Sequence, residues 1–155
     1  MELLIAAVGR LKGGPEAALV EDYAARASQA GRPLGLGPLT VIEIDERRAR
    51  RPAEQTSRLR EAAGEGVRVV LDERGRQLSS PALAKRIAEW RDAGRRRASF
   101  LIGGADGHAP EMRGEADLVL SFGPMVWPHA LARAMLAEQL YRAVSILAGT
   151  PYHRE

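Results

Sequence analysis

The sequence predicts one α/β domain over residues 1–155, a mostly parallel sheet with helices on both faces. Three observations point there. Five short apolar runs alternate with helical or irregular stretches. The runs are apolar on both faces, as strands covered from two sides are. The length, 155 residues, suits one domain, which at this size buries roughly 70% of the surface its unfolded chain exposes.

The elements follow in order. Leu3 to Val8 is a continuous apolar run ended by Gly9, and reads as the first strand. Pro15 to about Ala30 reads as a helix, with Pro at its start and Ala18, Leu19 and Tyr23 at helical spacing. Leu39 to Ile44 is the second strand, followed by a more polar helix over Pro52–Ala63. Val67 to Leu71 is the third strand. Ser80-Pro81 opens a helix with a cap residue and a proline, and Gly94 stops it after Ala93. Ser99 to Ile102 is the fourth strand, ended by Gly103-Gly104, and Leu118 to Ser121 the fifth. A final helix runs from about His129 to Ala148.

Composition excludes several chemistries. With no cysteine there is no disulfide framework, thiolate zinc site or Cys nucleophile. No His pair has metal spacing, so no metal site is expected. No apolar run approaches the roughly 18 residues of a membrane span. Residues Met1–Arg10 lack the basic start and small-residue cleavage site of a leader, so a cytoplasmic protein without membrane contact is expected. The net charge is only +3, yet all of the 23 Lys plus Arg except Lys12 and Lys85 are Arg. Arg binds phosphate and stacks on bases better than Lys. A GC-rich coding bias would produce the same excess, and composition leaves both readings open.

The final helix is apolar nearly all round. Leu131, Met135, Glu138, Arg142 and Ser145 lie on one side, and Leu136, Leu140, Ala143, Val144 and Leu147 on another. Such a helix needs cover on two sides. A homodimer through it is expected, the competing reading being a central helix in a monomer core.

Three turns at carboxyl ends of strands could carry ligand chemistry. Ile102-Gly103-Gly104-Ala105-Asp106-Gly107-His108 is glycine-rich, which suits close backbone approach to a ligand or a tight strand-to-helix turn. Neither a dinucleotide G-x-G-x-x-G nor a P-loop pattern is present. Leu71-Asp72-Glu73-Arg74-Gly75-Arg76 is the second turn. The third, Ser121 to His129, holds Phe122, Met125, Val126 and Trp127, apolar residues that usually line a pocket when they occur in a loop. Ligands in open α/β sheets sit at such strand ends. The terminal Pro151-Tyr152-His153-Arg154-Glu155 clusters an aromatic, an imidazole and a guanidinium.

Together these segments carry a resemblance. They are Ala6-Ala7-Val8-Gly9, Leu71-Asp72-Glu73-Arg74-Gly75 with Leu78-Ser79-Ser80, and Phe100-Leu101-Ile102-Gly103-Gly104 followed by Gly107. Leu120-Ser121-Phe122, Trp127-Pro128-His129, Glu138 to Ala143 and Pro151 to Glu155 complete the set. In order and spacing the chain resembles, over its whole length, the RlmH family of small SPOUT-class methyltransferases. The region from Arg47 to Arg60 matches least.

The resemblance implies a SPOUT-type sheet whose C-terminal part forms a deep trefoil knot, which no pattern argument shows and general topology rules disfavour. It implies S-adenosyl-L-methionine as methyl donor and N3 of a pseudouridine in 23S rRNA, in the helix 69 region of the assembled 70S ribosome, as acceptor. By position, the implied cofactor contacts are Leu71, Gly103, Phe122, Gly123, Pro124, Met125, Val126 and Trp127. His153 is the candidate base, Arg154 the candidate for stabilising charge or holding phosphate, and Tyr152 the candidate stacking residue. His129 and Arg142 are reserves. The Arg groups at 47–60 and 91–97 are candidate phosphate contacts. A related SPOUT enzyme for another rRNA or tRNA base, and an inactive ribosome-binding module, are the alternatives.

Overall fold

The computed structural model describes residues 1–154; Glu155, the last residue of the terminal motif, lies outside the described residues. Five strands form one sheet: β1 (Glu2–Val8), β2 (Leu39–Ile44), β3 (Val67–Gln77), β4 (Arg97–Ile102) and β5 (Leu118–Ser121). They lie in the order β2-β1-β4-β3-β5, and every pairing is parallel. The helices are α1 (Pro15–Gly31), α2 (Pro52–Ala63), α3 (Ser80–Asp92), α4 (Pro110–Gly114) and α5 (His129–Leu147), with a 3-10 turn over Arg32–Leu34.

Alternation along β1 divides the core. Leu3, Ile5 and Ala7 face α1, α3 and α5 in one cluster with Val20, Ile87 and Leu140. Leu4, Ala6 and Val8 face the other way, in a cluster with Leu59 of α2 and Met112 of α4. Covered faces on both sides explain why these strands read as unbroken apolar runs.

Three expectations need correction. The segment after Leu71 is not a turn: β3 runs on to Gln77, with its register against β5 slipping between Leu71 and Arg76. Polar side chains hid this extension, which runs past its pairing with β4 and meets β5 alone through a bulge. Gly75 is required there by space, since a Cβ would lie 2.6 Å from the carbonyl carbon and oxygen of Val119. Second, the cap of α3 is Ser79, whose hydroxyl accepts from the Ala82 amide at 3.3 Å. Ser80 instead donates to Gln139 Oε1 of α5 at 2.7 Å. Third, the loop between β4 and β5 contains the short helix α4.

Helix α5 is buried within its own chain along Ala132, Arg133, Ala134, Leu136, Ala137, Leu140, Ala143, Val144 and Ser145. It packs on α1 and α3. The central-helix reading therefore accounts for that side. Leu131, Met135, Glu138 and Arg142 remain half-buried on the other side. With Leu19, Tyr23, Leu78 and Phe122, the first three border an apolar groove of about 530 Å³.

Candidate cofactor site

The carboxyl ends of β3, β4 and β5 converge on one cleft of about 290 Å³. Its walls include Leu71 and Asp72 from the first segment, Gly103 to His108 from the second, and Phe122, Gly123, Met125, Val126 and Trp127 from the third. His129 and Ala132 at the start of α5 close one side. Parallel strands place these loops together because all the carboxyl ends point the same way.

Local chemistry sets each loop. Gly107 N–H donates to the Gly104 carbonyl at 2.9 Å, folding the glycine-rich loop into a tight turn. A Cβ on Gly103 would lie 2.8 Å from the Gly107 carbonyl, and one on Gly104 would lie 2.6 Å from Gln55 Oε1. These two glycines thus serve close packing of the loop on itself and on α2. Ser121 ties the third loop to the first: its hydroxyl lies 3.1 Å from the Glu73 carbonyl and accepts from the Gly123 amide at 3.0 Å. The exposed apolar tip is Met125 and Val126, 68% and 84% exposed, while Trp127 is 36% exposed.

The implied cofactor residues thus meet in one place, except that Pro124 lies in the loop without bordering the cleft. Asp72 and His108 border it and were not among the named candidates. His108 is buried, its Nε2 lies 3.1 Å from the Leu101 carbonyl, and its Nδ1 has no partner among the described residues. Burial holds this imidazole below its ordinary pKa. Its place directly behind a glycine turn was the available signal.

The tail residues gather elsewhere, on the second half of α5. The Tyr152 ring packs 4.5 Å from Tyr141, with the Arg142 guanidinium 4.9 Å from its centre. Arg26 of α1 sits 4.3 Å over Tyr141. The Tyr152 hydroxyl donates to Glu138 Oε1 at 3.0 Å, and Arg142 Nε donates to the same oxygen at 3.0 Å. Burial, then hydrogen bonding to Tyr23 and Glu138, raises Tyr152 far above the usual phenol range, so it is a donor at neutral pH. Arg142 Nη1 lies 3.3 Å from His153 Nδ1. A guanidinium only donates, so Nδ1 holds the lone pair and Nε2 the proton. That Nε2 is buried without a partner among the described residues. Arg154 is exposed.

So the reserve His129 joins the cofactor cleft, and the reserve Arg142 joins the tail. At about 1.5 Å per residue, Ala132 and Arg142 are separated by about 15 Å along the helix. The single chain does not bring the two groups together.

The chain matches, over residues 1–153, a family model described as "Predicted SPOUT methyltransferase". It is 54% identical over 155 residues to the ribosomal RNA large subunit methyltransferase H of Ruegeria pomeroyi, covering 99% of both chains. It is 56% identical to the protein of that name from Cereibacter sphaeroides, again covering 99% of both. The chain belongs to this family of SPOUT methyltransferases. Two solved structures share the fold. A probable methylase family protein of Haemophilus influenzae aligns with TM-score 0.54 at 12% identity, covering 95% of this chain and 66% of that one. A putative methyltransferase of Legionella pneumophila, solved with its bound cofactor SAM, aligns with TM-score 0.50 at 13% identity over the same shares. Among the described residues of this SPOUT methyltransferase, no helix is long and apolar enough to cross a membrane.

Proposed function

We propose that this protein transfers a methyl group from S-adenosyl-L-methionine to N3 of a pseudouridine in 23S rRNA. The acceptor lies in the helix 69 region of the assembled 70S ribosome, and the enzyme works in the cytoplasm as a homodimer through α5. The observation that carries this reading is the convergence of three loops on one cleft, in a chain whose relatives are named rRNA methyltransferases.

The residues fit the donor. Ile102, Phe122 and Trp127 supply apolar wall for a purine ring, while loop backbone groups and the carboxylates of Asp72, Glu73 and Asp106 border the same space. Bound there, the cofactor would supply an electrophilic methyl group on a sulfonium. The trefoil knot belongs to the same reading. It is supported by the family match over residues 1–153.

The protein's work is positioning and proton removal. N3 of pseudouridine bears an imide proton, which must leave as the nitrogen–carbon bond forms. His153 is the proposed acceptor, once Nδ1 is free of Arg142. Arg154 would face the developing negative charge or a phosphate, and Tyr152 would stack on the base. The separation along α5 favours a site completed in trans, one subunit's cleft facing its partner's tail across the α5 interface. The half-buried side of α5 and the adjoining apolar groove supply a surface for that contact.

Calorimetry with S-adenosylmethionine tests the donor; a wild-type chain that binds none contradicts the reading. Mixed dimers test the composite site. A Gly103→Ala subunit paired with a His153→Ala subunit should recover activity that neither homodimer has. No recovery would place both halves of the site in one subunit.

A further inference from the structure

The cleft is held from behind by a residue that does not border it. Arg113 lies on α4, and its Nη1 makes two contacts. It donates to the His108 carbonyl at 2.9 Å and to Asp72 Oδ2 at 3.3 Å. His108 belongs to the β4 loop and Asp72 to the β3 extension, and both border the cleft. The Asp72 side chain is only 6% exposed, whereas Arg113 is 24% exposed. The other carboxylate oxygen of Asp72 accepts from the Arg74 amide at 2.9 Å. The Arg74 guanidinium is 3.7 Å away but 65% exposed, so it contributes little.

A buried carboxylate without a partner is costly. Removing Arg113 would leave Asp72 to turn outward or into the cleft, and would leave the His108 carbonyl without that donor. Ser121 already fastens the third loop to the first at Glu73. Arg113 is the corresponding fastener between the first and second loops.

We propose that Arg113 is a positioning residue for the cofactor cleft, acting through Asp72 and the His108 backbone. This rests on the reading that the cleft holds S-adenosylmethionine. The role needs one positive nitrogen at one point, because both contacts converge on Nη1. Lysine should therefore substitute, although it fails where a guanidinium binds through both of its arms.

The test compares wild type, Arg113→Ala, Arg113→Lys and Asp72→Asn by calorimetry with S-adenosylmethionine and S-adenosylhomocysteine, each with a thermal melt. Arg60→Ala is the control, because Arg60 pairs with Glu115 beside α4 but away from the cleft. Arg113→Ala should weaken both ligands about tenfold or more, the scale of one charge-assisted hydrogen bond. Its Tm should fall no further than that of Arg60→Ala, and Arg113→Lys should restore most of the affinity. Asp72→Asn preserves shape and should show the same weakening, which keeps the test decisive if Arg113→Ala does not fold. Wild-type affinity in Arg113→Ala and Asp72→Asn overturns the proposal. So does a loss that follows Tm and is not restored by lysine. A wild-type protein that binds neither ligand overturns the reading of the cleft itself, and this proposal with it.

Discussion

Gly103 and His108 show how single residues shape the cleft. At Gly103 a methyl group meets the Gly107 carbonyl at 2.8 Å, and backbone cannot rotate away as a flexible side chain can. Gly103→Ala should cost about 1–3 kcal/mol, the range for overpacking, and abolish cofactor binding. Denaturant melts and calorimetry read the two effects separately. His108 gives a pH dependence. An unfolded imidazole ionises near 6.5, and burial holds the folded value below that. Asp72 pulls the value up and Arg113 pulls it down. Between the two values the unfolded chain binds the extra proton, so stability from His108 is intact above pH 6.5 and erodes as pH falls through that window. Wild type should lose Tm as pH falls below about 6.5, and His108→Leu should lose less. Equal slopes would remove His108 from the account. The sequence marked His108 only as a turn residue, since no local pattern shows that its ring folds back to the Leu101 carbonyl and is buried.

Helix α5 shows what periodicity can and cannot say about an element. Its all-round apolar pattern called for cover on two sides; the chain's own α1 and α3 supply one, and Leu131, Met135, Glu138 and Arg142 stay half-buried on the other. Arg133, a charged residue in this apolar helix, is 1% exposed. Its Nη1 donates to Glu43 Oε1 at 2.7 Å and its Nη2 to the Gly9 carbonyl at 3.0 Å, pinning the first turns of α5 to the ends of β1 and β2. Glu43 also accepts from the Leu11 amide at 3.0 Å, so the same carboxylate orders the β1–α1 loop. Arg133→Ala should cost about 3 kcal/mol, by cavity and by loss of the pair. Arg133→Met, which fills the space, should cost clearly less, because Glu43 can turn towards water. Chemical denaturation compares them, and equal losses would show that the charge matters more than the volume. Strands β1, β2 and β5 were legible because each is a short apolar run bounded by turn residues. The extension of β3 was not, because its polar residues run past β4 and pair only with β5, where burial leaves no periodic mark.

Over the whole molecule, the arginine excess divides. In the 47–60 group, Arg47, Arg51, Arg58 and Arg60 are within ion-pair distance of Asp45, Glu54, Glu61 and Glu115. In the 91–97 group, Arg91, Arg95 and Arg97 meet Asp92, Asp117 and Glu2. Much of the excess is thus balanced by acids on the surface. Arg48, Arg50 and Arg96 have no such pair among the described residues, and they are the sharper candidates for phosphate contact. Exchanging these three for Gln should weaken ribosome binding and lower its salt dependence, whereas exchanging Arg58 should do neither. The composite site makes a second prediction at this scale. Met135→Glu on the half-buried side of α5 should give a species of 16.8 kDa in sedimentation, without methyltransferase activity but with retained fold. Legibility also ends here. The meeting of the three loops follows from the order of the strands in space, β2-β1-β4-β3-β5, which no local pattern encodes. The resemblance named the cofactor contacts on those loops. The most direct measurement is transfer of an isotope-labelled methyl group from S-adenosylmethionine to 70S ribosomes, free rRNA and tRNA, with the product nucleoside identified by mass spectrometry. The account predicts label on N3 of one pseudouridine in the 23S rRNA of 70S ribosomes, and little on the free RNAs; label on another atom or in tRNA, or no transfer by a chain that binds the donor, would contradict it.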